Sequence, residues 1–431
     1  MKYFYSHIVF ILIASQSSLL FMRISSCSQS SKSTSDQNLS TIYKTAQDIL
    51  HPSYVVFHRT TTISELHFKI NSKELLYSKQ AGSEAFMAQF TIQYRLISSY
   101  ESKDVVDSAT VTLSDAYSTS AKDIIGKIDF NAAFANSYLL ELFLTDLNRN
   151  VTSKAFIPVD KRNFSSRQNF IVLSAENKTP IFRDYLRKNE KVLIRYRSDG
   201  INAFVRYYNR NFPLPAPPFA TSNMAPFDYR ADSVFNIRLQ DNDTTGFLFK
   251  NHGFFHIQTD TSGKDGLTLY KFYDDFPQVK TPQEMLPPLR YITSRQEFDV
   301  LSSYKNQKVS LDSFWVYAGG GHDRARELVK KFYNRVLDAN NYFSSYLEGW
   351  KTDRGLLYII YGPPSIVYKS SNAENWVYGE ENNFNSLTFS FQKVTNPFTG
   401  NDYRLDRSPV FKTSWFNYVD MWRQGRVYSE K

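Results

Sequence analysis

From His51 to about Asp160 the chain is cut into short runs rich in Val, Ile, Phe, Tyr and Thr, separated by polar turns, and few folds accept that spacing. Ser53 to Phe57, Glu65 to Ile70, Ala85 to Leu96, Val105 to Leu113 and Ser137 to Thr145 each alternate or run apolar at strand length. A strand of this kind hides one face, and several in succession hide it against a second sheet. A β-sandwich is therefore expected over 46–165.

A second β-rich stretch, 166–285, reads the same way. Lys191 to Arg197 and Ile201 to Tyr208 flank Ser198-Asp199-Gly200, and Asp-Gly between alternating runs predicts a hairpin because glycine tolerates the positive φ of such turns. Ile194 and Tyr196 should share one face, with Arg195 and Arg197 on the other. Phe212 to Pro218 holds too many prolines to donate to a sheet interior and reads as an extended loop. Strands resume at Ser233 to Leu239, Gly246 to Phe249, Gly253 to Thr259 and Leu267 to Phe272.

Beyond residue 286 the period changes. Ser294 and Glu297 have the spacing of a capping box, ahead of Phe298 and Leu301 on a short helix. Phe314 to Tyr317 reads as a strand, Gly319-Gly320-Gly321 as a connector and Asp323 as a helix cap. Ala325, Leu328, Val329, Phe332, Tyr333, Val336, Leu337, Phe343 and Tyr346 then recur at helical spacing, with Arg326, Lys330, Lys331 and Asn334 on the wet face. Asn375 to Tyr378 and Ser386 to Lys393 are strand-like, and Trp415 to Trp422 is a last aromatic stretch. The expected fold is mainly β with a smaller α+β C-terminal domain, in the order tandem immunoglobulin-like sandwiches, then a helix-plus-sheet domain over 286–431.

Within that domain stands Gly349-Trp350-Lys351-Thr352-Asp353-Arg354-Gly355, followed by the apolar run Leu356 to Tyr361, which includes Tyr358, and by Gly362-Pro363-Pro364. Glycine can end a helix in a left-handed conformation, Trp350 offers a large apolar anchor, and Thr352 and Asp353 can turn their oxygens onto nearby amides. Arg354 can pair with Asp353 or with a carboxylate across the turn. The residues thus predict a structural corner locking a helix to a short strand over 356–361; the alternative makes Asp353 a general base or ligand anchor. The Trp, the Asp-Arg-Gly and the Gly-Pro-Pro fall at the spacing of the GWxTD domain, which this region resembles from about Pro288 to Tyr378, including Leu289 to Ile292, Phe314-Trp315 and Ala339-Asn340. That resemblance implies a cell-envelope protein, mainly of Bacteroidota, in a family without an established biochemical activity.

The N-terminus has a positive start, a short apolar run from Ile8 to Met22 and small residues before Cys27, the pattern of a secretory signal. The run is shorter than the roughly 20 residues needed to span a bilayer. Ile-Ser-Ser-Cys resembles a bacterial lipobox, which would make Cys27 the acylated first residue of the mature chain; a plain signal peptide with an incidental cysteine is the alternative. Residues 28–45 read as a flexible tether, because Ser28 to Asn38 carries no apolar residue.

Cys27 is the only cysteine, which excludes intramolecular disulfides and thiolate-rich metal clusters. The formal charge of +9 is spread among 42 acidic residues without a basic stripe, so nucleic acid is not expected as a partner. Gly319 to Gly321 resembles a phosphate loop but lacks the Lys-Ser/Thr that completes one. His252 and His256 sit on a strand about 13 Å apart, too far to share an ion. Asp274-Asp275 and Glu380-Glu381 read as solvated turns. Asp107-Ser108-Ala109 and Asp232-Ser233-Val234 resemble short glycosylation tripeptides of exported Bacteroidota proteins. Aromatic residues form 16% of the chain, which adds glycan as a candidate ligand. No cofactor or metal is expected.

These observations together predict a lipid-anchored envelope protein that serves as a binding or assembly module, with the membrane and an envelope protein as partners. The alternatives are an envelope enzyme acting on glycan or peptide near Asp353, and a carbohydrate-binding surface lipoprotein.

Overall fold

A computed structural model describes residues 32–44, 48–79, 85–220, 227–243 and 245–427. Cys27, and with it the signal segment and the lipobox-like end, lies outside the described residues. Eight strands form the first unit: β1 (Ser53–His58), β2 (Ile63–Asn71), β3 (Ser78–Lys79), β4 (Phe86–Ile97), β5 (Val105–Ala116), β6 (Asp123–Asn131), β7 (Ser137–Asp146) and β8 (Val151–Asp160). One antiparallel sheet runs β1-β2-β6; in the other, β4 pairs with β3, β5 and β7, and β7 with β8. In β4 the even positions Ala88, Phe90, Ile92, Tyr94 and Leu96 are buried while Gln89, Thr91, Gln93 and Arg95 point away, the period of two expected for a sheet with one dry face. They meet Leu66, Phe68 and Ile70 of the facing sheet in one core.

The second unit comprises β9 (Phe170–Ser174), β10 (Lys191–Tyr196), β11 (Ile201–Tyr208), β12 (Ser233–Leu239), β13 (Phe247–Leu248), β14 (Gly253–Gln258) and β15 (Leu267–Lys271). Its sheets run β13-β10-β9 and β12-β11-β14-β15. The expected hairpin between β10 and β11 does not form. β10 pairs with β9 and β13, and β11 with β12 and β14, so Ser198 to Gly200 carries the chain from one sheet to the other. Gly200 does have the positive φ of +70° that the Asp-Gly step suggested. Val192 and Ile194 of β10 share a core with Ala203 and Val205 of β11 across the sandwich. Alternation reveals which face of a strand is dry but not which strand lies beside it.

In the C-terminal region α1 (Pro282–Met285), α2 (Arg295–Ser303), α3 (Gln307–Gly319), α4 (His322–Phe343) and α5 (Asp353–Tyr361) precede a four-stranded antiparallel sheet, β16 (Ile366–Lys369), β17 (Ala373–Tyr378), β18 (Leu387–Lys393) and β19 (Tyr403–Leu405), and α6 (Lys412–Arg423). The Ser294–Glu297 capping box is present, and the stripe of α4 is buried from Ala325 to Phe343. Two runs read as strands are helices. Phe314 to Tyr317 belongs to α3, which Gly320 ends at φ +64°; Gly321, not Asp323, then caps α4, and Asp323 sits in its first turn. Leu356 to Tyr361 belongs to α5, every residue of which is buried. A helix dry on all sides shows no 3.6-residue period, so a six-residue apolar run cannot announce it.

The largest correction concerns the N-terminal segment. Instead of a tether, residues 33–43 form two short 3-10 turns, and Leu39 and Tyr43 are buried in the core shared by α3 to α6 and the β16–β19 sheet. Ile97, Tyr100 and Leu139 of the first sandwich belong to the same core. The second sandwich meets this region through a separate aromatic cluster in which Tyr208, Phe254 and Tyr270 pack on Phe398. Among the described residues no helix is long and apolar enough to cross a membrane.

Candidate functional site

The motif is a turn between two helices in backbone contact. A Cβ at Gly349 would collide with the carbonyl of Ala339 on α4, and one at Gly355 with the carbonyl of Gly349. Close approach therefore requires both glycines, and Gly349 is not the left-handed helix terminator expected. Trp350 is buried edge-on against Tyr291, with ring centroids 5.9 Å apart. Its amide donates to Asn340 Oδ1 at 3.2 Å and its carbonyl accepts from the Tyr291 hydroxyl at 2.7 Å. Thr352 is the N-cap of α5: its Oγ1 accepts from the Gly355 amide at 3.0 Å and its hydroxyl donates to the Gly349 carbonyl at 2.7 Å. Gly362, at φ +90°, ends α5 ahead of Pro363 and Pro364, and its carbonyl accepts from the Tyr378 hydroxyl at 2.9 Å.

Asp353 and Arg354 do not pair with each other. Asp353 reaches β19, where Oδ2 accepts from the Leu405 amide at 2.8 Å, and both of its oxygens take the guanidinium of Arg407. Arg407 also donates to the Ala216 carbonyl at 3.1 Å, tying the proline-rich loop to the motif. The expectation that Asp353 caps amides of its own turn is thus corrected to a clamp on chain 52 residues away.

Arg354 turns the other way and is 1% exposed. Nη1 donates to Glu374 Oε2 at 3.2 Å and to the Tyr43 hydroxyl at 3.4 Å, and Nη2 donates to the Asn401 carbonyl at 2.9 Å. Its plane lies over Tyr403 at 4.1 Å and near Phe343 at 5.1 Å. Glu374, fully buried, also takes hydrogen bonds from the Tyr43 hydroxyl at 2.6 Å and the Trp376 indole at 2.7 Å, and Lys369 Nζ lies 3.1 Å away. Burial alone would raise the Glu374 carboxyl, but Lys369 and Arg354 outweigh it and hold the group at about 2. Burial lowers the Lys369 ammonium and raises the Tyr43 phenol. Tyr358 donates to the Tyr43 carbonyl at 2.9 Å and lies 3.5 Å from Asp338, whose carboxyl burial pushes up to about 6.

The site is therefore Tyr43, Asp353, Arg354, Lys369, Glu374, Asn401 and Arg407, of which only Asp353 and Arg354 stood out in the sequence. Glu374 had left a signal: it shares the buried face of β17 with Trp376 and Tyr378, and a carboxylate on an apolar strand face demands a cation. Chemically the cluster is a set of clamps. Both oxygens of Asp353 are occupied, by the Arg407 guanidinium and by the Leu405 amide, so the carboxylate joins chain segments.

The other sequence candidates lie apart. His256 is buried with both ring nitrogens bonded, to Thr268 Oγ1 and the Lys264 carbonyl, while His252 is exposed. Asp274 pairs with Lys188, Asp275 with Lys280, and Glu381 accepts from Tyr368. Asp107 accepts from the Asn131 amide, and Asp232 pairs with Arg210. Among the described residues no group of three or more His, Cys, Asp or Glu is placed to hold a metal ion.

No curated protein matches the chain. The family model of the GWxTD domain matches residues 253–424, beginning on β14 of the second sandwich and ending just beyond α6. The motif corner, the ion pairs of both clamps and the whole β16–β19 sheet fall inside that match, while Tyr43 and Ala216 lie outside it, and the chain carries a GWxTD domain over residues 253–424.

Proposed function

We propose that the protein is a lipid-anchored cell-envelope protein of Bacteroidota type in which the GWxTD domain is a binding or assembly module, not a catalytic one. The observation that carries this reading is the fate of the two charged motif residues. Asp353 is consumed by Arg407 and Leu405, and Arg354 by Glu374 and Asn401, so both serve to join segments of chain and neither presents a reactive group. Catalytic carboxylates need a substrate proton within reach, and this one is spent on structure. The anchor rests on the lipobox-like end at Cys27, since two or more acyl chains hold a protein stably on a membrane.

Membrane fractionation with intact-mass measurement tests the anchor: Cys27→Ser should release the protein to the soluble fraction and remove the lipid mass. A mature N-terminus elsewhere than Cys27 would refute it. Affinity purification from membranes tests the module, which should retain envelope proteins; bound sugar or substrate turnover without a protein partner would favour a glycan-binding or enzymatic role instead.

A further inference from the structure

The matched domain begins at residue 253, yet its core is completed by a segment more than two hundred residues upstream. β16 is an edge strand, and an edge leaves backbone groups open to another chain. Here Asn38 and Leu39 cover it. The Leu39 amide donates to the Val367 carbonyl at 2.8 Å, Asn38 Oδ1 accepts from the Val367 amide at 3.0 Å, and Asn38 Nδ2 donates to the Ser365 carbonyl at 3.3 Å. Further along, Tyr43 enters a socket of aromatic rings, with centroids 5.0 Å from Phe343 and 5.5 Å from Tyr342 and Trp376. At its floor the phenol meets Glu374, and Tyr358 holds the Tyr43 carbonyl. On the other side the Ser35 amide donates to the Tyr100 carbonyl at 2.9 Å, and the Thr34 hydroxyl to Glu141.

We infer that the sheet edge and the aromatic socket form a recognition groove for a peptide folded into two tight turns, and that residues 33–43 are its ligand held in cis. The groove reads three features: a side-chain amide that imitates a strand, an apolar residue beside it, and a phenol that reaches a buried carboxylate. An open edge supplies affinity through its free main-chain groups, here taken by the Leu39 amide and the Asn38 side chain, and side-chain sockets supply specificity. Tyr43 supplies the specificity, because its hydroxyl satisfies Glu374 and a peptide without it leaves that carboxylate one donor short. The inference does not depend on the lipid anchor and is tested without it.

The experiment uses the full-length folded chain with a protease site inserted between Lys44 and Asp48, so that the segment can be cut free after folding. The probe is a labelled synthetic peptide of residues 32–44. After cleavage the chain should stay folded, exchange its own segment for the labelled peptide, and take a Tyr43→Phe peptide more weakly by about tenfold or more. Unfolding on cleavage would overturn the inference, since the segment would then be an indispensable part of the core. So would a folded, cut chain that admits no peptide, or one that binds the Tyr43→Phe and the parent peptide equally well.

Discussion

Asp353 and Arg354 are neighbours on the first turn of α5, yet they feed two ion-pair systems of different character. The Arg354 system is dry: two cations, Arg354 and Lys369, share the single carboxylate of Glu374 among aromatic rings, and neither Arg354 nor Glu374 reaches solvent. The Asp353 system is a one-to-one pair with Arg407 and keeps a little exposure, 7% and 10% for the two side chains. A buried pair repays its desolvation only while it is complete, and removing one partner costs far more than the pair contributes net. The two clamps should therefore respond very differently to the loss of one charge.

The most damaging change is expected at the dry clamp. Glu374→Gln leaves Arg354 and Lys369 without a counter-charge and should destabilise the full chain by about 3 to 5 kcal/mol in denaturant melts. A loss below about 1 kcal/mol would mean that water reaches the guanidinium, and the contrast between the clamps would collapse.

Asp353→Asn comes next. The amide oxygen can still accept from Leu405, but its NH2 now faces the donors of Arg407, and a cost of about 2 kcal/mol is expected. Paired complementation sharpens the test. A variant that melts like the parent but has lost its biological function would identify Asp353 as a working group and overturn its structural role.

The smallest effect is a pH dependence in which the dry clamp and its neighbour Asp338 oppose one another. Glu374 is held at about 2, below its ordinary 4.5, so its contribution is present above about pH 4.5 and is lost as pH falls toward 2. Asp338 is raised to about 6 from 3.8, so its contribution is full below about pH 4 and is lost as pH rises through 6. Asp338→Asn should abolish the decline between pH 4 and 6 and leave the protein about 1 kcal/mol more stable than the parent at pH 7. Identical stability curves for the two proteins in that window would place the Asp338 carboxyl in water.

The first sandwich was largely legible in the sequence because its strands bury one face and wet the other; each singled-out run, such as Ala85 to Leu96 for β4, has ends within about three residues of those of a strand. Legibility failed where that contrast vanished. Leu356 to Tyr361 is buried on all sides and looked like a strand; Phe314 to Tyr317 of α3 misled for a different reason, because four consecutive aromatic and β-branched residues imitate a strand although Trp315 is buried and Tyr317 is exposed. The segment from Ser33 to Tyr43 failed for another reason: its polar side chains, which read as a tether, bond to Val367, Ser365 and Glu141, partners far away in the chain.

By itself the sequence determined the local terms: strand faces in the sandwiches, the Ser294 capping box, the stripe of α4 and the glycine, Trp and Pro spacing that marks the domain. These follow from neighbours a few residues apart, whose spacing is set by covalent geometry. Only the tertiary structure decided that β10 and β11 part into different sheets, that Asp353 seeks Arg407 and Arg354 seeks Glu374, and that Tyr43 completes a core built far downstream. A buried charge binds whichever opposite charge the fold brings within reach, and that partner can stand anywhere along the chain.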